Sequence, residues 1–437
     1  MTVLLRIALR SVRKNWRHSV GAALAVAVGF TAITLFNGYL GHLAGTLGEM
    51  MEEQFMMGTL LVEGRGASAA LSRNSEPVYL REAEQAFVDE YLRARGGEVV
   101  TRVRNLFVGG IASNGRSSYQ FVGWGFDPVE GAALRRRFAW DAWYGKPLQE
   151  AGGDAVLLAR GLAALLECEP ATTEPPFGED GLLVPKVRPF ECRRPRIQLM
   201  GSTTSGQVNA VEPVVAGLVD GGRKEMDDVA LMMPLALAQK LRNAQVVSQY
   251  AVLLRDPTKA APFARDLAAA AKARGLSIDA MPWQQSYFGE QYNQGMGIMR
   301  TLRSLMGVVV VVIAGMAVFS TMVKVVSERT REIGTLRSLG FLRGQVTRLF
   351  ALEAAILSAS ACVVGLLLTL GVTALINGAR LTYNAGLMAN PMLLGVEADP
   401  VSYLLAGFFL TAIAVFAAWL PARRAARRKI PDALSYA

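Results

Sequence analysis

SERTREIGTLRSLGFLRGQ, residues 327–345, separates two long apolar runs. Twenty uncharged residues lie between Arg303 and Lys324, and 26 lie between Glu353 and Arg380. A helix needs about 20 apolar residues to cross a hydrocarbon core of about 30 Å, so both runs are long enough to span a membrane. We therefore expect the charged stretch to lie at a membrane surface, between two transmembrane helices.

Two further runs bring the number of predicted spans to four. Residues 18–48 contain no Asp, Glu, Lys or Arg, and 23 uncharged residues lie between Asp399 and Arg423. The first run follows basic residues as a signal peptide does, but it is too long for the apolar region of one. Buried core helices are the other alternative, and a composition of 52% hydrophobic and 19% charged residues favours a membrane protein instead. The predicted spans are residues 19–42, 299–325, 347–379 and 400–422.

The positive charge of the chain is concentrated beside these runs. Segments 1–18, 324–348 and 423–437 hold 16 of the 46 Lys and Arg residues but only 3 of the 36 Asp and Glu residues. This is the positive-inside pattern of membrane proteins rather than the basic surface of a nucleic-acid-binding protein, so no nucleic-acid partner is expected. Both termini are predicted to be cytoplasmic, and residues 43–298 and the short loop 380–399 are predicted to lie outside.

The large external segment has the composition of a soluble α+β domain. Its predicted strands are residues 58–64, 98–104, 117–126, 154–159 and 211–219, and its predicted helices are residues 81–95 and 262–275. Residues 43–57 and 276–300 are interpreted as two helical stalks that connect this domain to the first and second membrane helices.

The three cysteines predict no metal site. Cys168 and Cys192 bracket a Pro-rich stretch of the external segment, whereas Cys362 falls in the third apolar run and is interpreted as a small packing residue. In an oxidising compartment the first two can form a disulfide, and two unpaired thiols are the alternative. No C-x-x-C motif and no neighbouring histidine accompany them, so a zinc site is not expected.

No catalytic motif is recognisable. The only histidines, His18 and His42, flank the first predicted membrane helix, so a catalytic triad is not expected. The sequence contains no G-x-x-x-x-G-K-[ST] phosphate-binding loop, no G-x-S-x-G and no H-E-x-x-H. The apolar runs also lack the series of ionisable residues that ion pathways use. The sequence therefore predicts that the chain is not an enzyme, binds no cofactor of its own and is not a secondary transporter.

The charged stretch itself has the pattern of a short helix over residues 328–340. Ser327 is predicted to cap its start, and Gly340 is predicted to end it. An apolar edge is predicted from residues at three-residue spacing, namely Ile333, Leu336 and Leu339. Such a helix could lie on lipid headgroups or dock into a groove of another protein. A solvated loop that only carries orienting charge is the alternative.

The same residues resemble those of a known family. ERTREIGTLRSLG resembles the signature of the FtsX-like/MacB-like ABC transporter permeases, the type VII or mechanotransmission group. The matching residues are Glu328, Arg329, Glu332, Ile333, Gly334, Leu336, Arg337, Leu339 and Gly340. The match continues at Glu353 and in a tail pattern of Pro421, Ala422, Ala425, Ala426, Pro431 and Leu434. The stretch SASACVVG, residues 358–365, departs from the family, which often has more glycine there.

The resemblance implies a bacterial inner-membrane protein with four transmembrane helices and a large periplasmic α+β domain between helices 1 and 2. Residues 326–346 would contain a coupling helix that docks on a cytoplasmic ABC ATPase subunit, and that subunit would bind ATP and Mg. A second permease copy or a homologue would complete a dimer. Segment 1–18 resembles the family's amphipathic helix on membrane lipid, with orienting charge alone as the alternative, and 423–437 would be a basic cytoplasmic tail.

The resemblance leaves the branch of the family open. A MacB-like export permease would work with a periplasmic adaptor, whereas a lipoprotein-releasing permease would pass lipidated proteins to an acceptor. LFNGYLGHLAG, which begins at Leu35, resembles the lipoprotein-releasing branch in its Asn-Gly pair. A third branch regulates cell-wall hydrolases. A membrane-anchored receptor or scaffold without transport is the alternative from a different functional class.

Overall fold

The computed structural model describes residues 2–14, 16–73, 75–174, 176–178, 183–222, 224–383 and 392–427. The chain forms two compact units. The first, called the membrane unit here, comprises Met1–Ala44, Met296–Leu381 and Leu394–Ala437. The second, called the inserted domain, comprises Gly45–Gly295 and Thr382–Leu393.

The described ranges contain helices of very different lengths. The α-helices are α1 Thr2–Lys14, α2 Trp16–Glu49, α3 Ala67–Ser72, α4 Glu82–Ala94, α5 Pro128–Arg135, α6 Leu148–Ala151, α7 Arg160–Leu165, α8 Lys224–Asp227, α9 Leu235–Arg242, α10 Ala260–Ala273, α11 Tyr287–Glu328, α12 Thr330–Ser338, α13 Arg343–Ala379 and α14 Pro400–Ala426. A π-helix, Met50–Gln54, follows α2, and short 3₁₀ turns lie at Arg136–Phe138, Pro257–Lys259 and Trp283–Gln285.

Four of these helices, α2, α11, α13 and α14, are long and apolar enough to cross a membrane, in agreement with the predicted number of such helices. A helix satisfies its own backbone hydrogen bonds, and this is what a chain inside hydrocarbon requires. At the start of α14, Asp399 accepts a hydrogen bond from the Val401 N–H at 3.0 Å, and Pro400 occupies the first turn. Both features are typical of a helix N-terminus.

Helix α1 is separate from α2 and packs against α13. Ala8 and Ser11 lie on its buried face, whereas Leu5 and Leu9 are exposed. Of the predicted amphipathic segment 1–18, residues 1 and 15 and the side chains of residues 2–3 and 16–18 lie outside what the structure describes.

The inserted domain is built on one mixed sheet of 11 strands. The strands of the described chain are β1 Leu60–Gly64, β2 Val99–Ser113, β3 Ser118–Phe126, β4 Ala142–Gly145, β5 Ala155–Ala159, β6 Cys168–Pro170, β7 Phe190–Cys192, β8 Gln198–Ser202, β9 Val208–Val211, β10 Val214–Val219, β11 Ala230–Pro234, β12 Gln249–Leu254, β13 Ile278–Pro282, β14 Thr382–Tyr383 and β15 Met392–Leu393. The main order is β13-β1-β12-β2-β3-β11-β5-β10-β4, with β8 on β2 and β9 on β8. The pairs β3–β11 and β5–β10 are parallel, and the other pairs are antiparallel.

Both faces of β1, the strand next to the edge strand β13, are buried. Leu60 and Val62 of β1 belong to the larger core cluster, whereas Leu61 belongs to a second cluster on the other face, as side chains that alternate along a strand must. At the start of β1, the hydroxyl of Thr59 accepts from the Leu254 N–H at 3.0 Å and donates to the Val252 carbonyl at 3.2 Å. A polar residue thus fixes how β1 is aligned with β12.

The predicted elements of this domain agree with the structure in all but one place. Each predicted strand coincides with a strand of the sheet, and the two predicted helices are α4 and α10. Residues 43–57 continue as helix to Glu49 and then as the π-helix. The interpretation of residues 276–300 as a stalk is wrong for their first part, because β13 pairs with β1 and α11 begins only at Tyr287.

The structure decides between the alternatives for the cysteines. Cys168 of β6 lies directly opposite Cys192 of β7, and the two form a disulfide across a sequence separation of 24 residues. Within the closed loop, the ring of Phe177 meets the ring of Trp143 edge to face at 4.9 Å between centroids. The disulfide therefore fastens the ends of a segment that also packs on the domain core.

Loss of this disulfide is expected to destabilise the inserted domain. The substitution Cys192→Ser should lower its free energy of unfolding by about 3 kcal/mol, because an open loop of this length has more conformational entropy when unfolded. For a domain of this size that corresponds to a fall of roughly 6–12 °C in Tm, measured by proteolysis of the full chain as it is heated. Cys362→Ala serves as the control, since Cys362 is a free thiol of the membrane unit. An equal fall in both variants would contradict the prediction.

Candidate functional site

The charged stretch forms helix α12, which begins at Thr330 rather than at Glu328. Helix α11 continues through Ser327 to Glu328, so the prediction that Ser327 caps the short helix is wrong. Arg329 separates the two helices, with φ −101° and ψ 16°. The Thr330 hydroxyl donates to the carbonyl oxygen of Ser327 at 2.8 Å, and this bond stabilises the turn.

The guanidinium of Arg329 fastens α12 to two other helices. Its Nη1 donates to both carboxylate oxygens of Glu353 on α13, at 3.1 and 3.0 Å, and to the hydroxyl of Ser11 on α1, at 2.8 Å. Its Nε donates to Glu332 of α12 itself at 2.7 Å. The guanidinium also lies 5.3 Å from the centre of the Phe350 ring, a cation–π contact. One side chain therefore joins α12, α13 and α1.

The two carboxylates that Arg329 contacts differ in exposure. The side chain of Glu353 is 5% exposed, that of Arg329 is 16% exposed, and that of Glu332 is 56% exposed. Burial acts to lower the pKa of Arg329, but the neighbouring Glu353 and Glu332 outweigh it and raise that pKa above its ordinary value. Arg329 therefore stays protonated, and removal of the Glu353 side chain would leave its largely buried charge without that partner.

The inner face of α12 packs into a small apolar core of the membrane unit. Ile333 is 2% exposed, and Thr330 and Gly334 are buried beside it. The core draws on α11, α12, α13 and α14, and its buried members are Val325, Val326, Ile333, Val346, Phe350, Ala422, Ala425 and Ala426. The alanines that the family pattern matched in the tail thus lie against α12. Pro421 is buried within α14, whereas Pro431 and Leu434 lie outside the described residues.

The end of α12 is fixed as well. Arg337 donates from Nη1 to the Ala426 carbonyl at 3.0 Å, at the C-terminus of α14, where a cation is favourable. Gly340 has φ +95°, a conformation that glycine adopts without strain, and it lies one residue beyond the C-cap Leu339. The structure therefore confirms Gly340 as the helix stop.

The outer side of α12 differs from the predicted apolar edge. Ile333 faces the core, Leu336 is half-buried, and only Leu339 is open, at 73% exposed. The edge is divided because α12 ends at Ser338, so Leu339 no longer follows the helical rotation. Leu342 is also 68% exposed. The exposed surface of α12, as defined here, consists of Arg331, Glu332, Thr335, Leu339 and Leu342.

The predicted site residues therefore fall into two groups. Those that fasten α12 are Arg329, Ile333, Gly334 and Arg337, and those that are exposed are Glu328, Glu332, Leu339 and Gly340, with half-buried Leu336 between them. Sequence reasoning missed Ser11, Phe350 and Leu342. The one available signal was Ser11, a polar residue at helical spacing from Ala8 on the apolar face of α1.

The inserted domain has a small pocket of its own. Its volume is about 20 Å³, and its lining includes Gln54, Trp124, Arg135 and Asp220. A space of this size holds about one water molecule, so this pocket is too small for an organic substrate. Across the described ranges, no group of three or more His, Cys, Asp or Glu side chains is arranged to hold a metal ion.

Asp220 is expected to make the stability of the inserted domain depend on pH. Burial raises the pKa of Asp220 from 3.8 to about 6, against the opposing hydrogen bond from the Gly222 N–H. A folded-state pKa above the unfolded value means that the folded domain binds the extra proton, so this contribution to stability falls as pH rises from about 4 to 6 and is level above. Asp220→Asn should therefore be more stable than the native chain at pH 7.5, by about 1–3 kcal/mol.

The measurement is Tm of both chains in detergent at pH 4.5 and 7.5. The difference between them should shrink at the lower pH. Asp256→Asn is the control, because the hydrogen bond from Thr258 lowers the pKa of Asp256 and its contribution is instead lost as pH falls. A difference for Asp220→Asn that is the same at both pH values would contradict the assignment.

Comparison with known families identifies the region around α12. Residues 304–430, which include most of α11 and all of α12 and α13, match the family model described as "FtsX-like permease C-terminal". The matched range contains Arg329, Glu353 and the alanines of α14 that pack on α12.

Two curated proteins match part of the chain. The ABC transporter permease YtrF of Bacillus subtilis (strain 168) is 29% identical over 142 residues, which is 29% of this chain and 30% of that protein. The macrolide export ATP-binding/permease protein MacB of Neisseria gonorrhoeae is 27% identical over 184 residues, which is 42% of this chain and 27% of that protein. The match thus spans less than a third of the length of either relative.

Solved structures match over about half of the chain. The extracellular domain of the noncanonical ABC-type transporter YknZ from Gram-positive bacteria is 12% identical with a TM-score of 0.31, over 51% of this chain and 98% of that one. The periplasmic region of MacB from Actinobacillus actinomycetemcomitans is 11% identical with a TM-score of 0.32, over 55% of this chain and 92% of that one.

Proposed function

We propose, from the match of residues 304–430 to the FtsX-like permease family model, that this chain is the membrane subunit of an ABC transporter driven by a separate ATPase. The ATPase would bind the exposed surface of α12 and hydrolyse ATP with Mg at its own site. This chain would contribute no catalytic group, since its sequence contains no phosphate-binding loop. Its output would be movement of the inserted domain.

The observation that carries the proposal is the two-sided construction of α12. Its inner side is fastened by Arg329, Ile333 and Arg337. Its outer side carries the exposed Arg331, Glu332 and Thr335, and the turn that follows it presents two leucines, Leu339 and Leu342, at 73% and 68% exposure. A helix that is firmly held from within and open outward is suited to receive force from a docked partner, because the contact cannot move without moving α13.

The charge distribution supports an orientation for this arrangement. Basic residues concentrate near α12 and at both ends of the chain, so these parts would face the cytoplasm of a bacterium and the inserted domain would be periplasmic. Helix α1 would lie on membrane lipid with its exposed leucines, Leu5 and Leu9, against the acyl chains. Its exposed basic residues beside them are Arg6, Arg10, Arg13 and Lys14.

The proposed cycle needs two copies of the permease. Closure of two ATPases around ATP would draw their two α12 helices together. Helices α2 and α11 each run from the membrane unit into the inserted domain without a break at the boundary, so both could carry the displacement. The substrate would then be moved by the inserted domain and would not pass through the membrane unit.

The test is purification of the tagged chain from its native host in mild detergent, followed by mass spectrometry of the proteins that accompany it. A stoichiometric ABC ATPase is the expected result, with ATP hydrolysis in the purified complex. A periplasmic adaptor would favour export, and a lipoprotein acceptor would favour lipoprotein release. If no ATPase accompanies the chain while a known transporter complex survives the same treatment, the proposal fails and a receptor or scaffold takes its place.

A further inference from the structure

The segment that precedes α14 packs on α2 between Gly38 and His42. This segment, residues 394–399, is called the latch here. The Glu397 N–H donates to the carbonyl oxygen of Gly38 at 3.0 Å, and Val396 is 6% exposed. A Cβ on Gly38 would lie 2.7 Å from a methyl of Val396 and would overlap the Glu397 carbonyl oxygen. Only glycine allows this approach.

A second residue of α2 continues the same contact. His42 lies one turn beyond Gly38, and its ring packs on Gly395, where an added Cβ would be 2.6 Å from the ring carbon Cδ2. Gly41 faces Glu397, with 4.0 Å between an ideal Cβ on Gly41 and the Cβ of Glu397. Because residues three and four apart share one face of a helix, one side of α2 carries the whole contact.

The latch is in turn held by α13. The side-chain amide of Asn377 donates to the Val396 carbonyl and accepts from the Val396 N–H, both at 2.9 Å. Both backbone polar groups of one latch residue are thus satisfied by one side chain. The latch therefore ties α2 to α13 rather than covering α2 alone.

The same two helices are joined at two deeper levels. The hydroxyls of Thr34 and Thr369 are 2.9 Å apart, and the Thr31 hydroxyl donates to the Gly365 carbonyl at 3.1 Å. Gly365 also brings the backbones together, because a Cβ there would lie 2.8 Å from the carbonyl oxygen of Ala27. Small residues and hydroxyls of this kind are what hold helices together in a bilayer.

Helix α11 meets its neighbours differently. Val310 lies 3.0 Å from an ideal Cβ on Gly29 of α2, and Ile413 of α14 lies 3.1 Å from one on Gly315. Both of these contacts are made by apolar atoms rather than by hydrogen-bonding groups.

We propose that the latch makes α2 and α13 one rigid pair, and that this pair carries displacement from α12 toward the inserted domain. The path begins at Arg329 and Glu353 and continues along α13. It crosses to α2 at the Thr34–Thr369 hydrogen bond and at the latch. Gly38 and Asn377 are positioning residues of this path. The inference rests on the proposed function. It also gives Gly38, the glycine of the Asn-Gly pair at residues 37–38, a packing role that does not depend on any branch of the family.

A reversible crosslink tests the rigid pair. The double substitution Gly41→Cys and Glu397→Cys puts two thiols on Cβ atoms about 4.0 Å apart, within the range of an unstrained disulfide. In the purified complex in nanodiscs, the crosslink should form in the absence of added nucleotide. The nucleotide-dependent change in hydrogen exchange of the inserted domain, comparing the ATP–vanadate state with the nucleotide-free state, should stay within about twofold of that in the reduced sample. Failure to crosslink would overturn the proposal, because the latch would then be open. Loss of the nucleotide-dependent change on crosslinking, restored by reductant, would also overturn it, because the latch would then need to open.

A disruption is the complementary test. Gly38→Val should speed hydrogen exchange at the amides of residues 36–44 by about tenfold, and should leave ATP hydrolysis within about twofold while the response of the inserted domain falls by about tenfold. Gly45→Val is the matched control on the same helix, since nothing lies within 4 Å of a Cβ there. An unchanged response in Gly38→Val would overturn the proposal.

Failure of the proposed function and failure of the latch give different experimental results. If the native complex hydrolyses no ATP, the proposed function fails, whereas crosslinking and the exchange of residues 36–44 still report on the rigid pair. If the native complex responds to nucleotide and Gly38→Val responds equally, only the path through the latch fails.

Discussion

Leu339→Asp is expected to release the proposed ATPase partner from this chain. Leu339 is 73% exposed and lies at the end of α12, so its substitution removes an apolar contact from the docked surface without disturbing the membrane unit. A central apolar contact of a docked surface contributes on the order of 2 kcal/mol, and a buried carboxylate in its place costs more, so association should weaken by at least about 30-fold. The measurement is the amount of ATPase that co-purifies with the tagged chain.

The control for this experiment is Val129→Asp. Val129 is 72% exposed in the inserted domain, so the substitution introduces the same charge at the same degree of exposure. Glu332→Arg should also weaken binding, because it reverses a charge on the exposed surface of α12, and Glu332→Ala controls for the bond from Arg329 that is lost with it. Leu336→Asp is less informative, since Leu336 is half-buried and its substitution would also strain the inner packing. Normal recovery of the ATPase with both Leu339→Asp and Glu332→Arg would contradict docking on this surface.

Glu353→Ala is expected to be the most destabilising single change in the membrane unit that we predict. It leaves the guanidinium of Arg329 without its buried partner, at a cost of about 3–5 kcal/mol. A helix as short as α12 is not stable alone, so the loss should appear first as rapid hydrogen exchange at residues 330–338, and then as a lower Tm in detergent. ATP-dependent output should be lost with it.

The same arginine supplies the control. Glu332→Ala removes its other carboxylate, which is 56% exposed, and should cost less than about 1 kcal/mol. The double substitution Arg329→Met with Glu353→Leu removes both buried charges and should recover much of the stability lost in Glu353→Ala. Equal losses in Glu353→Ala and Glu332→Ala would show that burial of the pair is not what holds α12.

The membrane helices could be predicted from the sequence because their signal is local. A run of 20 or more uncharged residues needs no partner to be recognised, and all four runs are long helices in the structure. The ends of these helices were harder to predict. Serine is a common N-cap residue, yet α11 continues past Ser327, and the break between α11 and α12 comes at Arg329. That side chain is drawn toward Glu353 and Ser11, which lie 24 and 318 residues away in sequence.

The same distinction holds in the inserted domain. Strands with strong apolar patterns, such as β1 and β5, could be recognised from their own residues. β13 could not, because the segment becomes a strand by pairing with Leu60–Gly64, more than 200 residues earlier. The parallel pairs β3–β11 and β5–β10 were likewise beyond local reasoning, since nothing in either strand specifies its neighbour. The disulfide was left open for the same reason, and its geometry follows from the pairing of β6 with β7.

Burial of β1 on both faces has a consequence for how the domain reaches its native state. In a sheet with one solvent-exposed face, a register shift of one residue moves the apolar side chains of the strand into water, which is unfavourable. In β1 a slipped Leu60, Leu61 and Val62 would still meet apolar neighbours, so solvent gives little correction. The hydroxyl of Thr59, bonded to both Leu254 and Val252, then acts as an alignment mark. Errors in this domain should therefore appear as misregistered, slowly repaired intermediates during maturation rather than as a loosened final core.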